Sequence, residues 1–233
     1  MSDLFFDYQD YDAEIKKKIE SRQALISDSV NEFISFLKKK QTDELVIQKA
    51  QKLIESLVQD VTAEVNKPHY FSHPLRVTAA FLKEINQYDY ENISLGLCHN
   101  LKEKTGNQFE FFNPELLSPE TKKIIKVLTI DRAHERESKY LNQYYDRIME
   151  TSNDLMILKA HDKLDNALCW PLFNFEKYHA DIIYDHVCPR IKRLDPKLGN
   201  YLNDLTKYAL EESSKQKYRD YSQMLCSQKL LRK

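Results

Sequence analysis

The chain has 233 residues, 42% of them hydrophobic and 30% charged, and a formal net charge of −1. Those figures predict one large globular domain, or one domain with helical additions, and argue against a disordered chain or a protein held to nucleic acid by overall charge. Only Gly96, Gly106 and Gly199 occur. This scarcity excludes the glycine-clustered phosphate loops of the Walker and dinucleotide types and the Asn-Gly or Asp-Gly turns of tight hairpins.

No Gly or Pro precedes Pro68, so the first 67 residues can be mostly helix. Leu25, Ile26, Phe33, Ile34, Phe36 and Leu37 give the stretch 24–40 a broad apolar side. Thr42 is placed to cap the next helix, with Asp43 and Glu44 in its first turn. Val46, Ile47, Ala50, Leu53, Ile54, Leu57, Val58 and Val61 then recur near the helical period. The two prolines of KPHYFSHP predict a loop over 67–74, and a helix follows over 75–85. Asn92 or Glu91 opens one continuous helix ending near Gly106, and 106–117 reads as loop.

Ser118-Pro119-Glu120 combines an N-cap serine, a proline at N1 and an acid in the first turn, and starts a helix that stops near Asp131. Tyr140, Leu141, Tyr144, Tyr145 and Ile148 line the next helix, as core before base-stacking platform. Further helices are predicted over 155–170, over 175–187 and, from the Asp195-Pro196 cap, over 196 to about 213, with a fraying basic tail beyond. The fold expected is all-α.

The first residues hold no basic-then-apolar leader, and no apolar run reaches the roughly 18 residues of a bilayer span. The expectation is a cytoplasmic protein with no membrane partner. Cys98, Cys169, Cys188 and Cys226 form no CxxC pair, which suits free thiols in a reducing compartment. No basic cluster argues for DNA or RNA, and the oligomeric state stays open.

The chemistry concentrates in the middle of the chain. All seven histidines lie between His69 and His186. A lone histidine is more often a satisfied polar group than a ligand, and loop His69, exposed His134 and packing His161 are read so. On a continuous helix His99 and Glu103, four apart in LGLCHNLKEKTG, share a face. Asp162 and Asn166 do the same in ILKAHDKLDNAL, with Lys159 at the edge. An ionised Asp162 among leucines needs a partner. A lysine or arginine is the plain choice, and a metal also held by imidazoles is the sharper one.

KPHYFSHPLRV, LGLCHNLKEKT and ILKAHDKLDNA, in that order, resemble the three-part signature of the HD superfamily of metal phosphohydrolases. The match is closest to the hydrolase domains of alarmone synthetase/hydrolase proteins, and covers about 67–170. It implies an HD-type helical bundle, with N-terminal helices over 1–66, an HD-like core over 67–190 and a C-terminal helix and tail over 191–233. It also implies that His73, His99 and Asp162 ligate a divalent metal, Mn ahead of Fe or Zn. Glu103 would then handle the attacking water, and Asn166 would contact a nucleotide or another small phosphorylated substrate. Arg132, Lys139 and Tyr144 are placed by the same resemblance near phosphate or base.

Two residues depart from the pattern. Asn100 stands where the His-Asp pair has its aspartate, offering an oxygen to the metal but no charge. Lys104 replaces a second acid and, with Lys102, brings cations that suit an anionic substrate. Two readings follow: a phosphohydrolase, or an inactive HD-fold protein that binds a nucleotide or a protein partner.

Overall fold

The computed structural model describes residues 10–65, 71–172, 177–213 and 215–230, and they form helices and connecting turns only. His69 and the start of the helix expected at 175 lie outside the described residues. The chain divides into two units, one made of Leu25–Ala133 and the other of the segment up to Ala24 together with His134 onward. The divisions between them fall at 24/25 and 133/134.

In the His134-onward unit, α1 (Tyr11–Gln23) is capped by Asp10, whose carboxylate accepts from the Asp12 N–H at 2.9 Å. In the Leu25–Ala133 unit, α2 (Ile26–Lys39) is followed by α3 (Glu44–Val65), α4 (Ser72–Ile85), α5 (Tyr90–Cys98), α6 (Leu101–Thr105), a 3-10 turn over Gly106–Phe111 and α7 (Pro119–Leu128). Phe33, Leu37, Leu53, Phe81 and Ile93 are fully buried and form its core. α4 packs on α2 and α5, and α5 packs on α3 and α7.

Three expectations for this unit need correcting. The cap of α3 is Asp43, not Thr42: the Asp43 carboxylate accepts from the Leu45 N–H at 2.8 Å. α4 starts at Ser72, inside the expected loop. Pro74 sits in its first turn, where a missing N–H costs nothing. The helix expected to run unbroken to Gly106 stops at Cys98 and restarts at Leu101, with Asn100 between at φ −109°, ψ 6°. The Ser118 cap of α7 is as expected, its hydroxyl accepting from the Thr121 N–H at 3.1 Å.

The other unit continues with α8 (Ser138–Thr151), α9 (Asn153–Ala167), a 3-10 turn over Trp170–Leu172, α10 (Tyr178–Ile182), one π-helical turn over Ile183–Val187, α11 (Cys188–Leu194), α12 (Pro196–Glu212) and α13 (Lys217–Leu230). Within it α9 packs on α8, α11 and α12. Ile15, Ile148, Leu158, Leu164, Ile191 and Leu205 are fully buried. Asp195 caps α12 as expected, accepting from the Leu198 N–H at 2.9 Å.

The tail expected to fray is instead α13, packed on α1. Polar groups dock it, so no apolar stripe advertised it. The fully buried Tyr218 donates its hydroxyl to Asp12 Oδ1 at 2.7 Å, Lys217 pairs with the same carboxylate at 3.0 Å, and Gln23 donates to the Ser222 carbonyl at 3.0 Å. Burial alone would raise the Asp12 pKa. Hydrogen bonds from Lys16, Tyr218 and Lys217 outweigh it and bring the carboxyl down from its ordinary 3.8 to about 2. α1 also carries Lys18, which forms an ion pair with Asp165 of α9, both fully or almost fully buried.

Two predictions follow from these contacts. Lys18→Met leaves Asp165 as a buried charge that has lost this partner, and should lower unfolding free energy by about 3–5 kcal/mol in denaturant melts. Adding Asp165→Leu should recover most of that loss, because an apolar pair of similar volume replaces the ions. The depressed Asp12 carboxyl contributes stability that is present above its ordinary pKa of 3.8 and is lost as pH falls towards about 2. Asp12→Asn should therefore flatten the fall of melting temperature across that window, as read by circular dichroism.

Candidate functional site

In the Leu25–Ala133 unit, His73 lies in the first turn of α4 and His99 caps the end of α5. His73 is 9% exposed and His99 is fully buried. His99 Nδ1 is 2.6 Å from the Gly96 carbonyl oxygen. A carbonyl only accepts, so Nδ1 carries the proton, and in the neutral ring Nε2 is a lone pair. That Nε2 lies 3.3 Å from His73 Nε2. Two ligands held 2.0–2.1 Å from one ion at a tetrahedral angle sit about 3.3 Å apart. The imidazole pair therefore fits two positions around one cation, with a backbone carbonyl fixing the tautomer of His99.

The contact between α4 and α5 sets this spacing. A Cβ on Gly96 would fall 2.7 Å from Thr78 Oγ1 and Cγ2, so only glycine lets the helices approach this closely. Thr78 cannot swing away freely, because its hydroxyl donates to the Pro74 carbonyl at 2.6 Å.

Asn100 stands beside the pair, its side-chain nitrogen 3.3 Å from His73 Nε2. Two proton arrangements satisfy these atoms. In one, Asn100 donates and both Nε2 atoms present lone pairs, an arrangement that a cation stabilises. In the other, the amide is turned over and His73 Nε2–H donates to Asn100 Oδ1 and His99 Nε2 with no cation. An aspartate could accept in the second arrangement but could not donate in the first, so the amide is compatible with both.

The helix expected to carry both His99 and Glu103 is interrupted at Asn100, and Glu103 stands on the separate short helix α6. Its Oε2 takes Arg132 at 2.8 Å and its Oε1 accepts from the Ile130 N–H at 3.4 Å. The Glu103 carboxylate is 8% exposed against 63% for Arg132. Arg132, expected at phosphate, is thus tied to the expected base. Lys102 is half-buried and Lys104 exposed on α6.

In the other unit, Asp162 on α9 is 2% exposed. The plain partner foreseen for it is present: Lys159 Nζ lies 2.8 Å from Asp162 Oδ2, and Lys163 reaches to 3.7 Å. Asn166 donates to Asp162 Oδ1 at 2.9 Å. The i, i+4 pairing of Asp162 and Asn166 is thus as read, and it orients the carboxylate. Lys139 is exposed in the first turn of α8. Tyr144 is 1% exposed, stacked on Tyr140 at 6.2 Å and edge-on to Tyr145 at 4.9 Å, the core role expected of that stripe. His134 is exposed beside Glu137, and His161 is fully buried. Sequence reasoning overlooked Gly96, whose part in seating His99 is written only in its carbonyl and its missing Cβ.

Gly96→Ala should push α4 from α5 and cost about 1–3 kcal/mol of stability, the range for overpacking a filled contact. Thr78→Ala in the same chain should return much of it. If the single variant melts like the wild type, the close approach does not set the imidazole spacing.

Comparison with protein-family models, curated proteins and solved structures finds no match for this chain, so the HD resemblance rests on the residues quoted for it.

Proposed function

We propose that the protein is a metal-dependent phosphohydrolase of HD type, acting on a nucleotide or another small phosphoester. One observation supports this most: the His73 and His99 Nε2 atoms, 3.3 Å apart, with the His99 tautomer fixed by the Gly96 carbonyl. Two imidazoles with the Asp162 carboxylate are a donor set able to hold a metal ion. A divalent cation supplies Lewis-acid polarisation of a phosphoryl group and a more acidic water. His73, His99 and Asp162 are assigned to hold it, with Asn100 offering a neutral oxygen. Asn166 orients Asp162. Glu103 takes the proton of the attacking water, which requires it to exchange its Arg132 contact for that water. The released Arg132, with Lys102, Lys104 and Lys139, neutralises phosphate. Free cysteines and a small phosphorylated substrate fit a reducing, cytoplasmic setting. Among the described residues no helix is long and apolar enough to cross a membrane.

The second reading is a nucleotide-binding protein without turnover. The Lys159–Asp162 pair favours it, since a lysine already supplies positive charge to the carboxylate. Neutral Asn100 and cationic Lys104 act in the same direction.

Elemental mass spectrometry on protein purified without chelator separates the two. The hydrolase reading expects near-stoichiometric Mn, Fe or Zn, lost in Asp162→Asn and in His99→Ala, with phosphatase activity lost alongside. No metal in the wild type after Mn²⁺ soaking, together with nucleotide binding and no product, establishes the second reading. Asn100→Asp should tighten metal binding by about tenfold or more, given that even supporting groups around a metal are worth 10–100-fold.

A further inference from the structure

In the unit from His134 onward, a cavity of about 220 Å³ lies where the start of α8 meets α10 and the π-helical turn. Asp181, Asp185 and Glu135 line it, with His186 and Ser138 beside them. Glu135 is partly used, accepting from the Tyr178 hydroxyl at 3.2 Å. Arg136, the one cation in the wall, lies 4.4 Å over the Tyr178 ring. Asp181 is half-buried and Asp185 exposed.

His186 gives the wall its direction. The side chain is 5% exposed, and its Nδ1 lies 3.0 Å from Asn142 Oδ1. That oxygen also accepts from Arg190 at 3.2 Å, which identifies it as the amide oxygen. Nδ1 therefore carries the proton, and Nε2, on the opposite edge of the ring, is an acceptor with no hydrogen-bond partner among the described residues. Burial first, and then the Arg190 charge, hold the His186 pKa below its ordinary value, so the neutral acceptor form persists at pH 7. The π-helical turn matters here. In an α-helix the fifth residue on from Asp181 points well away around the axis, whereas the wider turn over Ile183–Val187 returns His186 towards the Asp181 side.

A buried imidazole acceptor flanked by carboxylates is complementary to a cation that carries N–H donors. These three side chains do not form a metal-holding group: among the described residues the only such group lies elsewhere. We propose that this cavity binds the primary ammonium group of a small organic amine, with Asp181 and Asp185 supplying charge and His186 Nε2 accepting one N–H. Ser138 and Arg136 lie at the start of α8, where the helix dipole favours negative charge. An amino acid is therefore a second source of the same ammonium.

The test is a titration of the full chain with n-propylammonium, followed through the His186 ring signals by NMR and assigned with His186→Gln. The expected result is a saturable shift of those signals, absent with tetramethylammonium at equal ionic strength, because that cation has no N–H to donate. Asp181→Asn should weaken binding by about tenfold, the scale of one lost charge-assisted contact. Asp185→Asn serves if that variant does not fold. Tighter binding of β-alanine than of propylammonium would assign the amino-acid source, and the reverse would assign a simple amine. No saturable shift with either ligand, an equal response to tetramethylammonium, or unchanged binding in the folded Asp variant would overturn the proposal.

Discussion

Charge burial on α9 is the constraint around which the unit containing it is organised. Asp162 and Asp165 are 2% and 0% exposed, and a buried carboxylate without a counter-charge would be intolerable. Each is met by a buried lysine, Lys159 from the same helix and Lys18 from α1. The second pair is why the N-terminal helix belongs with the C-terminal half of the chain. Once α1 is held there, α13 has a polar surface to dock on, and the first and last described helices share one unit.

The imidazole pair depends on a different kind of constraint, a steric one. Gly96 against Thr78 fixes how closely α4 and α5 approach, and the spacing of His73 and His99 follows from it. The residues assigned to the proposed metal site bring little negative charge: Asn100 is a neutral amide, Lys104 an ammonium, and Asp162 already pairs with Lys159. Fewer negative charges weaken the hold on a divalent cation and ease the approach of a phosphate. Metal affinity and anion affinity are therefore opposed in the proposed site, and that opposition is what the hydrolase and binding readings divide over.

Local signals were legible in the sequence. Ser118-Pro119 and Asp195-Pro196 start helices because the cap chemistry is contained in three residues. The all-α class followed from scarce glycine and helical periodicity. The break at Asn100 was not legible, because apolar residues continue through Leu101 and periodicity cannot register one residue leaving the helical region. α13 was missed because tyrosine hydroxyls and a glutamine dock it. For Asp162, chemistry required a partner but could not choose between lysine and metal, since that depends on which rotamer of Lys159 the packed core permits.

The π-helical turn has a consequence for how this chain tolerates length changes. Such a turn is an α-helix carrying one surplus residue. Removing a residue between Ile183 and Val187 would let ordinary α-hydrogen bonding resume with the flanks keeping roughly their present facing, because the wider turn spreads nearly the same rotation over one residue more. Arg190 and Ile191 could then keep their seats against α8 and α9 while Asp181 kept its side of the helix. A one-residue deletion here thus preserves the facing that the same deletion in the α-helical turns on either side would change by about 100°.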